Sequence, residues 1–249
     1  MSLLGLQRDG SGPVLVWLHG FTQTKNSAHE FRSILTGTYE VLTIDLPSHG
    51  ENAAVSASLE ETADLLAEVL PQEPFVLGGY SMGGRVALHF ALRHPERLAG
   101  LFLLSATLGI QNNDERRARR ERDDKLAERI EEIGTDQFLS EWLAQPMFAT
   151  LPLDPQERAA RSRDALGLAN SLRHAGSGTQ NWLGDEVTEL DVPTTLVVGS
   201  KDKKFINEGQ QLNERLAHPS LSIIHDAGHA AHLEQPDAVA HLLRRRQLQ

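Results

Sequence analysis

The chain has 249 residues, of which 40% are hydrophobic and 23% are charged, a balance typical of a globular domain with a sizeable core. Its formal net charge of −10 argues against non-specific binding to nucleic acid, and the absence of cysteine excludes disulfides, thiolate metal sites and a cysteine nucleophile. No apolar run approaches a membrane span and the N-terminus lacks a signal-peptide pattern, so we expect a cytoplasmic protein. The oligomeric state stays open, a monomer included.

Apolar runs alternate with amphipathic stretches along the first 108 residues. Residues 1–12 form at most a short edge strand, and buried strands are predicted over residues 14–18, 41–44, 75–77 and 101–104. Helices are predicted over residues 28–35 and 59–70, and again after the third buried strand. The second of these helices has Ser58 as a candidate N-cap and Glu61 three positions on, which is the pattern of a capping box.

The pattern changes over residues 109–189, where charged helical stretches are predicted at 112–133, 138–143 and 155–173 with a break at Pro146. We interpret this region as an all-helical cap inserted into a core of residues 1–108 and 190–249. The core resumes with strands at 194–198 and 221–224 and helices at 205–216 and 234–243, before a polar tail at 244–249. Apolar strands alternating with helices predict an α/β fold, with a mostly parallel central sheet covered on both faces. The site is expected where the strands end.

The turn Gly79-Tyr80-Ser81-Met82-Gly83 lies between an apolar run and residues spaced as in a helix. Strand, sharp turn and helix are the setting in which G-x-S-x-G exposes a nucleophile. A side chain at Gly79 or Gly83 is expected to collide with the neighbouring helix or strand. We therefore interpret Ser81 as a reactive serine; the alternative is a glycine-rich turn with an incidental serine.

A reactive serine needs an imidazole to take its proton and a carboxylate to orient that imidazole. After such an elbow the expected chain order is serine, acid, histidine, with both partners following strands. Asp202 follows the strand at 194–198 and His229 follows the strand at 221–224, so both fit. The nearest alternatives are His225, His232, Asp185 and Asp226.

Two backbone N–H groups are candidates for an oxyanion hole, which stabilises charge that develops on a carbonyl oxygen. Met82 follows the serine at a helix N-terminus, and Phe21 lies in the loop after the strand at 14–18. His19 and His49 are interpreted as residues that brace loops and do not react.

Arg85 stands four residues after Ser81, so it rises from the same face of the same helix. A guanidinium there is suited to grip a substrate carboxylate. The alternative is a salt bridge to the cap or to a loop acid such as Asp45. Most of the arginines at 116–122 are expected at the surface, with one or two reaching inward. We therefore expect a small anionic partner.

Several strings of residues together resemble the α/β-hydrolase family: His19-Gly20-Phe21, Asp45-Leu46-Pro47-Ser48-His49-Gly50, the turn at 79–83, Gly199-Ser200-Lys201-Asp202 and Ala227-Gly228-His229. Within it, the chain resembles the 2-succinyl-6-hydroxy-2,4-cyclohexadiene-1-carboxylate synthases of menaquinone biosynthesis. This closer resemblance depends on the elbow with its arginine, on residues 202–205, and on cap residues 109–112, 116–123 and 142–148.

The resemblance implies a lyase that eliminates pyruvate from 2-succinyl-5-enolpyruvyl-6-hydroxy-3-cyclohexene-1-carboxylate without a cofactor or metal. Ser81 would be the base, activated by His229 and Asp202. The residues that would form the oxyanion hole and bind the polycarboxylate substrate are Phe21, Met82, Arg85, Arg119, Arg163, Tyr80 and Trp142. Two departures are Ser48, where the family has glycine, and a weaker match after Arg163.

Two other functions stay open from the residues alone. One is a carboxylester or carbon–carbon bond hydrolase that works through an acyl-serine intermediate on an anionic substrate. The other is a non-catalytic binding protein, against which the intact set of Ser81, Asp202 and His229 argues. The residues themselves do not distinguish serine as base from serine as nucleophile.

Overall fold

A computed structural model describes residues 5–245 of the chain. Its seven strands form one sheet in the order β1-β3-β2-β4-β5-β6-β7, in which β1 is antiparallel to β3 and every other neighbouring pair is parallel. The strands are β1 Gln7–Gly10, β2 Val14–Leu18, β3 Glu40–Thr43, β4 Phe75–Tyr80, β5 Leu98–Leu104, β6 Thr194–Gly199 and β7 Pro219–Ile224. The mostly parallel sheet and the edge strand predicted from the sequence are therefore confirmed. The part of that prediction that concerns residues 1–4 lies outside the described residues.

Nine α-helices are present in the part of the chain that the structure describes. They are α1 His29–Leu35, α2 Leu59–Val69, α3 Met82–Arg93, α4 Asn113–Leu143, α5 Pro155–Ala159, α6 Ala165–Ala175, α7 Lys203–Arg215, α8 Ala231–Glu234 and α9 Pro236–Arg245. The predicted capping box of α2 is confirmed, with Ser58 and Glu61 each accepting the other's backbone N–H. Within residues 5–245, no helix has the length and apolarity needed to cross a membrane.

Residues 109–189, called here the helical segment, contain α4 to α6. Helix α4 changes direction at Gly134, whose φ of 73° and ψ of 173° are not helical. The single helix expected over residues 155–173 is wrong, because the chain forms two. Asp154 and Asp164 each cap a helix start, and between them Ser162 N–H leaves the helical pattern to bond Thr22 C=O at 2.8 Å.

The closing helix expected over residues 234–243 is confirmed as α9, which begins two residues later than predicted. Helix α8 ends at Glu234 and α9 begins at Pro236, which has no N–H and disfavours helical backbone at Gln235. Part of the predicted tail, residues 244 and 245, belongs to α9, and residues 246–249 lie outside the described part.

Alternate residues of the strands face two separate hydrophobic layers, as the period of a β-strand requires. Val16 and Leu18 pack with α2, α3 and α7 on one face of the sheet. Leu15 and Trp17 pack with α1, α8 and α9 on the other. The helical segment has a small core of its own, formed by Ala127, Ile130, Phe138, Leu168, Ala169 and Leu172.

The strands β4, β5 and β6 are each followed by a serine that extends the hydrogen-bond ladder by one step. In each case the serine N–H donates to a carbonyl of the next strand in the sheet. The three bonds join Ser81 to Leu104 at 2.8 Å, Ser105 to Val197 at 2.9 Å and Ser200 to Ile224 at 2.9 Å. The carboxyl edge of the sheet is thus ordered one residue beyond the strands themselves.

Candidate active site

Ser81 sits on a strained turn between β4 and α3. Its φ of 51° and ψ of −106° lie outside the regions that residues with a side chain ordinarily adopt. A Cβ at Gly83 would lie 2.3 Å from Leu18 C=O, and one at Gly79 would lie 2.3 Å from Gly83 C=O. The predicted steric requirement for glycine is confirmed at both positions. The tight approach of α3 to β2 and β4 is what directs Ser81 outward at the end of the strand.

The three predicted triad residues lie together at this edge. His229 Nε2 is 3.0 Å from Ser81 Oγ, and His229 Nδ1 is 2.7 Å from Asp202 Oδ2. Both partners of the serine are nearly inaccessible, with side-chain exposures of 3% for His229 and 8% for Asp202. Because a carboxylate accepts at Nδ1, the neutral imidazole carries its proton there and leaves Nε2 free to accept a proton from the serine.

The backbone around His229 is held by two side chains that the sequence did not single out as functional residues. Ser105 Oγ donates to His229 C=O at 3.0 Å. Glu234 accepts from Gly228 N–H at 2.7 Å and from Ala230 N–H at 3.2 Å, so one carboxylate fixes both flanks of the histidine. The Glu234 carboxylate also accepts from the hydroxyl of Thr150 in the helical segment.

The alternative histidines and aspartates are placed elsewhere. The side chain of His225 is 90% exposed and pairs with Asp226, whose other partner is Lys201. Asp185 is exposed. His232 is fully buried among aromatic rings, with its centroid 4.4 Å from that of Tyr80, and neither of its nitrogens has a hydrogen-bond partner within residues 5–245. None of these four side chains reaches Ser81.

The peptide between Gly20 and Phe21 is fixed from its carbonyl side. Gly20 C=O accepts from Gln23 N–H at 3.1 Å and lies 2.9 Å from His19 Nδ1. Because Leu46 N–H donates to His19 Nε2 at 3.0 Å, the proton of the ring must be on Nδ1, which donates to Gly20 C=O. In a trans peptide the N–H points away from the C=O. The Phe21 N–H is therefore held in one direction, as an oxyanion donor must be.

His19 stays neutral in this arrangement. Burial lowers its pKa to about 4, against a smaller opposing effect of the Gly20 carbonyl. His49, also buried, has a pKa lowered to about 3 by burial and by the neighbouring His19. His19 joins the loops at Gly20 and Leu46, and His49 Nδ1 lies 3.0 Å from Pro47 C=O, so both rings contact loop backbone, as interpreted from the sequence. The second predicted donor, Met82 N–H, is in the first turn of α3, where N–H groups have no helical acceptor.

A cavity of about 610 Å³ opens above Ser81, between the sheet edge and the helical segment. Four cationic side chains line it: Arg85, Arg119, Arg122 and Lys204. Three carboxylates also line it, those of Asp123, Asp202 and Glu208, and each has a partner in the protein. Asp123 accepts from Arg119 Nε at 2.8 Å and from Gly178 N–H at 3.0 Å. Two of the five arginines at 116–122 thus line the cavity.

Arg85 is 7% exposed and its guanidinium donates to Gly176 C=O at 3.3 Å, so its partner in the protein is a neutral carbonyl. Burial lowers its pKa to about 10, with repulsion from Arg119 adding to the shift and attraction to Asp123 opposing it. The alternative partner Asp45 is engaged elsewhere, since its carboxylate accepts from Lys25 N–H and Glu51 N–H. Among residues 5–245 Arg85 forms no salt bridge, and a buried cation in that position beside the serine suits an anionic ligand.

Arg163 does not line the cavity, although it was predicted to bind substrate. Its side chain is half exposed and paired with Asp136. The neighbouring Arg161 is the buried arginine of this stretch, donating to Thr22 Oγ1 at 2.6 Å and lying 3.7 Å from Glu157 Oε1. The break between α5 and α6, which the sequence pattern did not predict, decides which arginine turns inward.

Tyr80 and Trp142 both line the cavity as aromatic residues. The ring of Tyr80 lies 5.3 Å from that of His229, and burial raises the pKa of its hydroxyl above the usual range. Trp142 packs edge-to-face on Phe21 at 5.2 Å. Its buried Nε1 has no hydrogen-bond partner within the described residues, which leaves a donor for a ligand.

Residues 15–242 match the family model described as "Alpha/beta hydrolase family". The chain belongs to the α/β-hydrolase family. The helical segment lies between β5 and β6 of the matched region.

Among curated relatives of this α/β-hydrolase, a protein of Yersinia pestis bv. Antiqua (strain Nepal516) named 2-succinyl-6-hydroxy-2,4-cyclohexadiene-1-carboxylate synthase is 35% identical over 92% of this chain and 85% of its own. A Bacillus subtilis (strain 168) protein that carries the same name provisionally is 37% identical over 89% of this chain and 85% of its own. The structure described as MenH from S. aureus superposes with a TM-score of 0.91 at 29% identity, covering 98% of this chain and 97% of that one. An esterase from Thermogutta terrifontis has a TM-score of 0.82 at 24% identity over 98% and 92% of the two chains, which shows a shared fold.

Proposed function

We propose that this chain is a 2-succinyl-6-hydroxy-2,4-cyclohexadiene-1-carboxylate synthase, a cytoplasmic lyase of menaquinone biosynthesis that needs no cofactor. It would act on 2-succinyl-5-enolpyruvyl-6-hydroxy-3-cyclohexene-1-carboxylate and release pyruvate. The observation that carries the proposal is the buried Arg85, one helical turn from a serine that lies within 3.0 Å of His229 Nε2, at the floor of a cation-lined cavity. The names of the relatives support the same reaction.

The substrate and product names define the bond changes. The ring carbon that bears the succinyl group loses a proton and gains a double bond to its neighbour, the existing ring double bond shifts by one position, and the carbon–oxygen bond to the enolpyruvyl group breaks. Ser81 would take that proton after passing its own to His229 Nε2, and Asp202 would stabilise the resulting imidazolium. Pyruvate would leave as its enolate and take up the proton of the His229 imidazolium, which returns the triad to its starting state, and the resulting enol becomes pyruvate by tautomerisation.

Charge develops on the succinyl ketone when the adjacent ring carbon loses its proton. The N–H groups of Phe21 and Met82 would hold that oxygen, and each such donor is typically worth ~10²–10³ in rate. The same two donors would serve both elimination and acyl transfer, because each reaction places negative charge on a former carbonyl oxygen. The two reactions differ in whether Ser81 Oγ attacks carbon or removes hydrogen.

The substrate carries three carboxylates, on the ring, the succinyl arm and the enolpyruvyl group. Arg85 and Arg119 would bind two of them, with Tyr80 and Trp142 packing on the ring. The remaining cations that line the cavity, Arg122 and Lys204, are available for the third. We also propose that residues 109–189 act as a cap on a core of residues 1–108 and 190–249, which would exclude water from a reaction that must not become hydrolysis.

The test follows pyruvate release from the enolpyruvyl substrate by a lactate dehydrogenase-coupled assay. The wild type should release one pyruvate per substrate, and Ser81→Ala should lose ~10⁴-fold or more of kcat, as removal of a triad member typically does. Near-normal release by folded Ser81→Ala would refute the base role of Ser81.

A second candidate is a carboxylester or carbon–carbon bond hydrolase, favoured by a triad and oxyanion peptide that fit acyl transfer equally well. A burst of p-nitrophenol from p-nitrophenyl acetate, together with an acetyl group on Ser81 detected by mass spectrometry, would favour this reading. Folded wild-type protein that shows the burst and releases no pyruvate would replace the lyase proposal with it.

A further inference from the structure

We propose that Glu157, in the helical segment, is a positioning residue for the oxyanion hole. Acting through Gln23, its carboxylate holds the peptide that presents the Phe21 N–H, so that seating of the helical segment on the core completes the hole. This inference rests on the proposed function for the role of the Phe21 amide. It adds a residue from outside the cavity to the catalytic arrangement.

The connection from Glu157 to the oxyanion peptide consists of two direct hydrogen bonds. Gln23 Nε2 donates to Glu157 Oε1 at 3.0 Å, and Gln23 Oε1 accepts from Gly20 N–H at 2.9 Å. The backbone N–H of the same glutamine donates to Gly20 C=O, the carbonyl of the peptide whose N–H belongs to Phe21. Gln23 therefore grips Gly20 at both its N–H and its C=O, and Glu157 sets the rotamer with which it does so.

The side chains of this connection are almost completely enclosed, with Gln23 1% exposed and Glu157 9% exposed. The second oxygen of Glu157 accepts from Ala28 N–H at 2.7 Å, and Arg161 Nη2 lies 3.7 Å from the first. A buried amide whose partner is removed has no water to replace it. Loss of the carboxylate would therefore release Gln23 from its single arrangement.

The loop needs this support because its backbone is strained. Thr22, directly after Phe21, has a φ of 70°, an unfavourable conformation for a β-branched residue. Three contacts from residues 157–162 hold this loop from the outside: the pair of Glu157 with Gln23, the bond from Arg161 to Thr22 Oγ1, and the bond from Ser162 N–H to Thr22 C=O. A strained peptide persists where its surroundings determine it more than once.

Two single variants and their combination distinguish a positioning role of Glu157 from a purely structural one. Glu157→Gln leaves a single side-chain oxygen for two donors, Gln23 Nε2 and Ala28 N–H, so one of these two bonds is lost. Gln23→Glu opposes two carboxylates, so each single variant should weaken the connection. In the double variant, the amide at position 157 donates to the carboxylate at position 23, which still accepts from Gly20 N–H. The double variant should therefore restore every hydrogen bond and the net charge, with the direction of one bond reversed.

The experiment measures kcat and KM for pyruvate release, and the inhibition constant of phenylboronic acid, whose tetrahedral adduct on serine places an anionic oxygen in the hole. Each single variant should lose about 10–100-fold in kcat with KM changed by less than about threefold, because oxyanion donors act in the transition state. Boronate binding should weaken in parallel, and the double variant should return to within about fivefold of wild type. Glu121→Gln, an exposed carboxylate of the same segment, is the matched control and should change nothing.

Single variants that stay folded with unchanged kcat would overturn the inference, and so would a loss confined to KM or a double variant without rescue. If a single variant does not fold, the double variant decides alone: near-wild-type kcat supports the connection and a loss above ~100-fold overturns it. Wild-type protein that releases no pyruvate refutes the proposed function and not this inference. The same variants are then compared on p-nitrophenyl acetate, since acyl transfer uses the same donors.

Discussion

Replacing Arg85 by methionine should separate its contribution to binding from its effect on stability. Burial of its charge lowers the pKa of Arg85 from the ordinary arginine value to about 10, which corresponds to on the order of 3 kcal/mol against the charged form in the folded protein. The sign follows from linkage: below the folded pKa both states are protonated, so at pH 7 the folded state bears the whole cost. Arg85→Met removes the cost and gives up one 3.3 Å bond to Gly176 C=O.

We therefore expect Arg85→Met to unfold at the same temperature as wild type or higher, by up to about 10 °C at ~2–4 °C per kcal/mol for a chain of this size. Activity should move the other way. A charge-assisted bond to a carboxylate contributes about 1.5–3 kcal/mol, so KM for the enolpyruvyl substrate should rise by about 10–150-fold. The measurements are a thermal unfolding scan and the pyruvate-release assay.

Arg97 is the matched control, a second buried arginine that lies outside the cavity. Its guanidinium donates to three carbonyls, those of Ala67, Leu70 and Pro71, at 2.6–2.9 Å. Arg97→Met leaves these acceptors unpaired and should cost about 2–4 kcal/mol of stability, with KM unchanged in the folded fraction. A fall in the unfolding temperature of Arg85→Met as large as that of Arg97→Met, with normal KM, would show that Arg85 is a structural cation and refute the reasoning.

Two further predictions concern stability. His232 has a pKa lowered to about 3 by burial and by the nearby Arg161 and His229, so the unfolded chain binds its proton below pH 6.5 while the folded chain does not. Lowering the pH from 7 to 5 should therefore reduce the free energy of unfolding by roughly 2 kcal/mol through this residue. His232→Phe should remove that reduction in urea unfolding measured at both pH values. An equal reduction in the variant would contradict the assignment. Gly83→Ala should prevent stable folding because its Cβ would meet Leu18 C=O. Gly134→Ala has a φ of 73° but open space around it, so it should cost about 1 kcal/mol of stability in the same unfolding measurement. Similar costs for the two variants would contradict the steric explanation.

The sheet and the triad could be predicted because each depends on a short local pattern. Apolar runs of strand length marked six of the seven strands, and the order of the turn residues marked where Ser81, Asp202 and His229 would meet. Parallel strands bring their carboxyl ends to one edge, so residues 148 positions apart in the chain become neighbours without any further information.

The helical segment could be predicted only as helical, because its side chains face several neighbours with no single period. The expected helix at 155–173 missed the break at 160–164, and with it the inward turn of Arg161 and the outward turn of Arg163. Glu157 gave no signal either, since a glutamate in a first helical turn is ordinarily a solvent-exposed residue that complements the helix dipole. Its burial depends on the loop that it meets, 129 residues away at Ala28.

The serine N–H bonds that continue the ladder past β4, β5 and β6 help to determine which mutations would displace the triad residues. Ser81 directly follows β4, Asp202 lies in the loop after β6, and His229 lies in the loop after β7, so the sheet sets the spacing between them. Substitutions within the connecting loops can alter how a side chain is presented, but they leave the spacing of its attachment points unchanged. An error of register in any one of these strand pairings would instead displace every member beyond it by a full residue. Mutations that weaken β5 or β6 should therefore disturb the chemistry from a distance, without contacting a catalytic side chain.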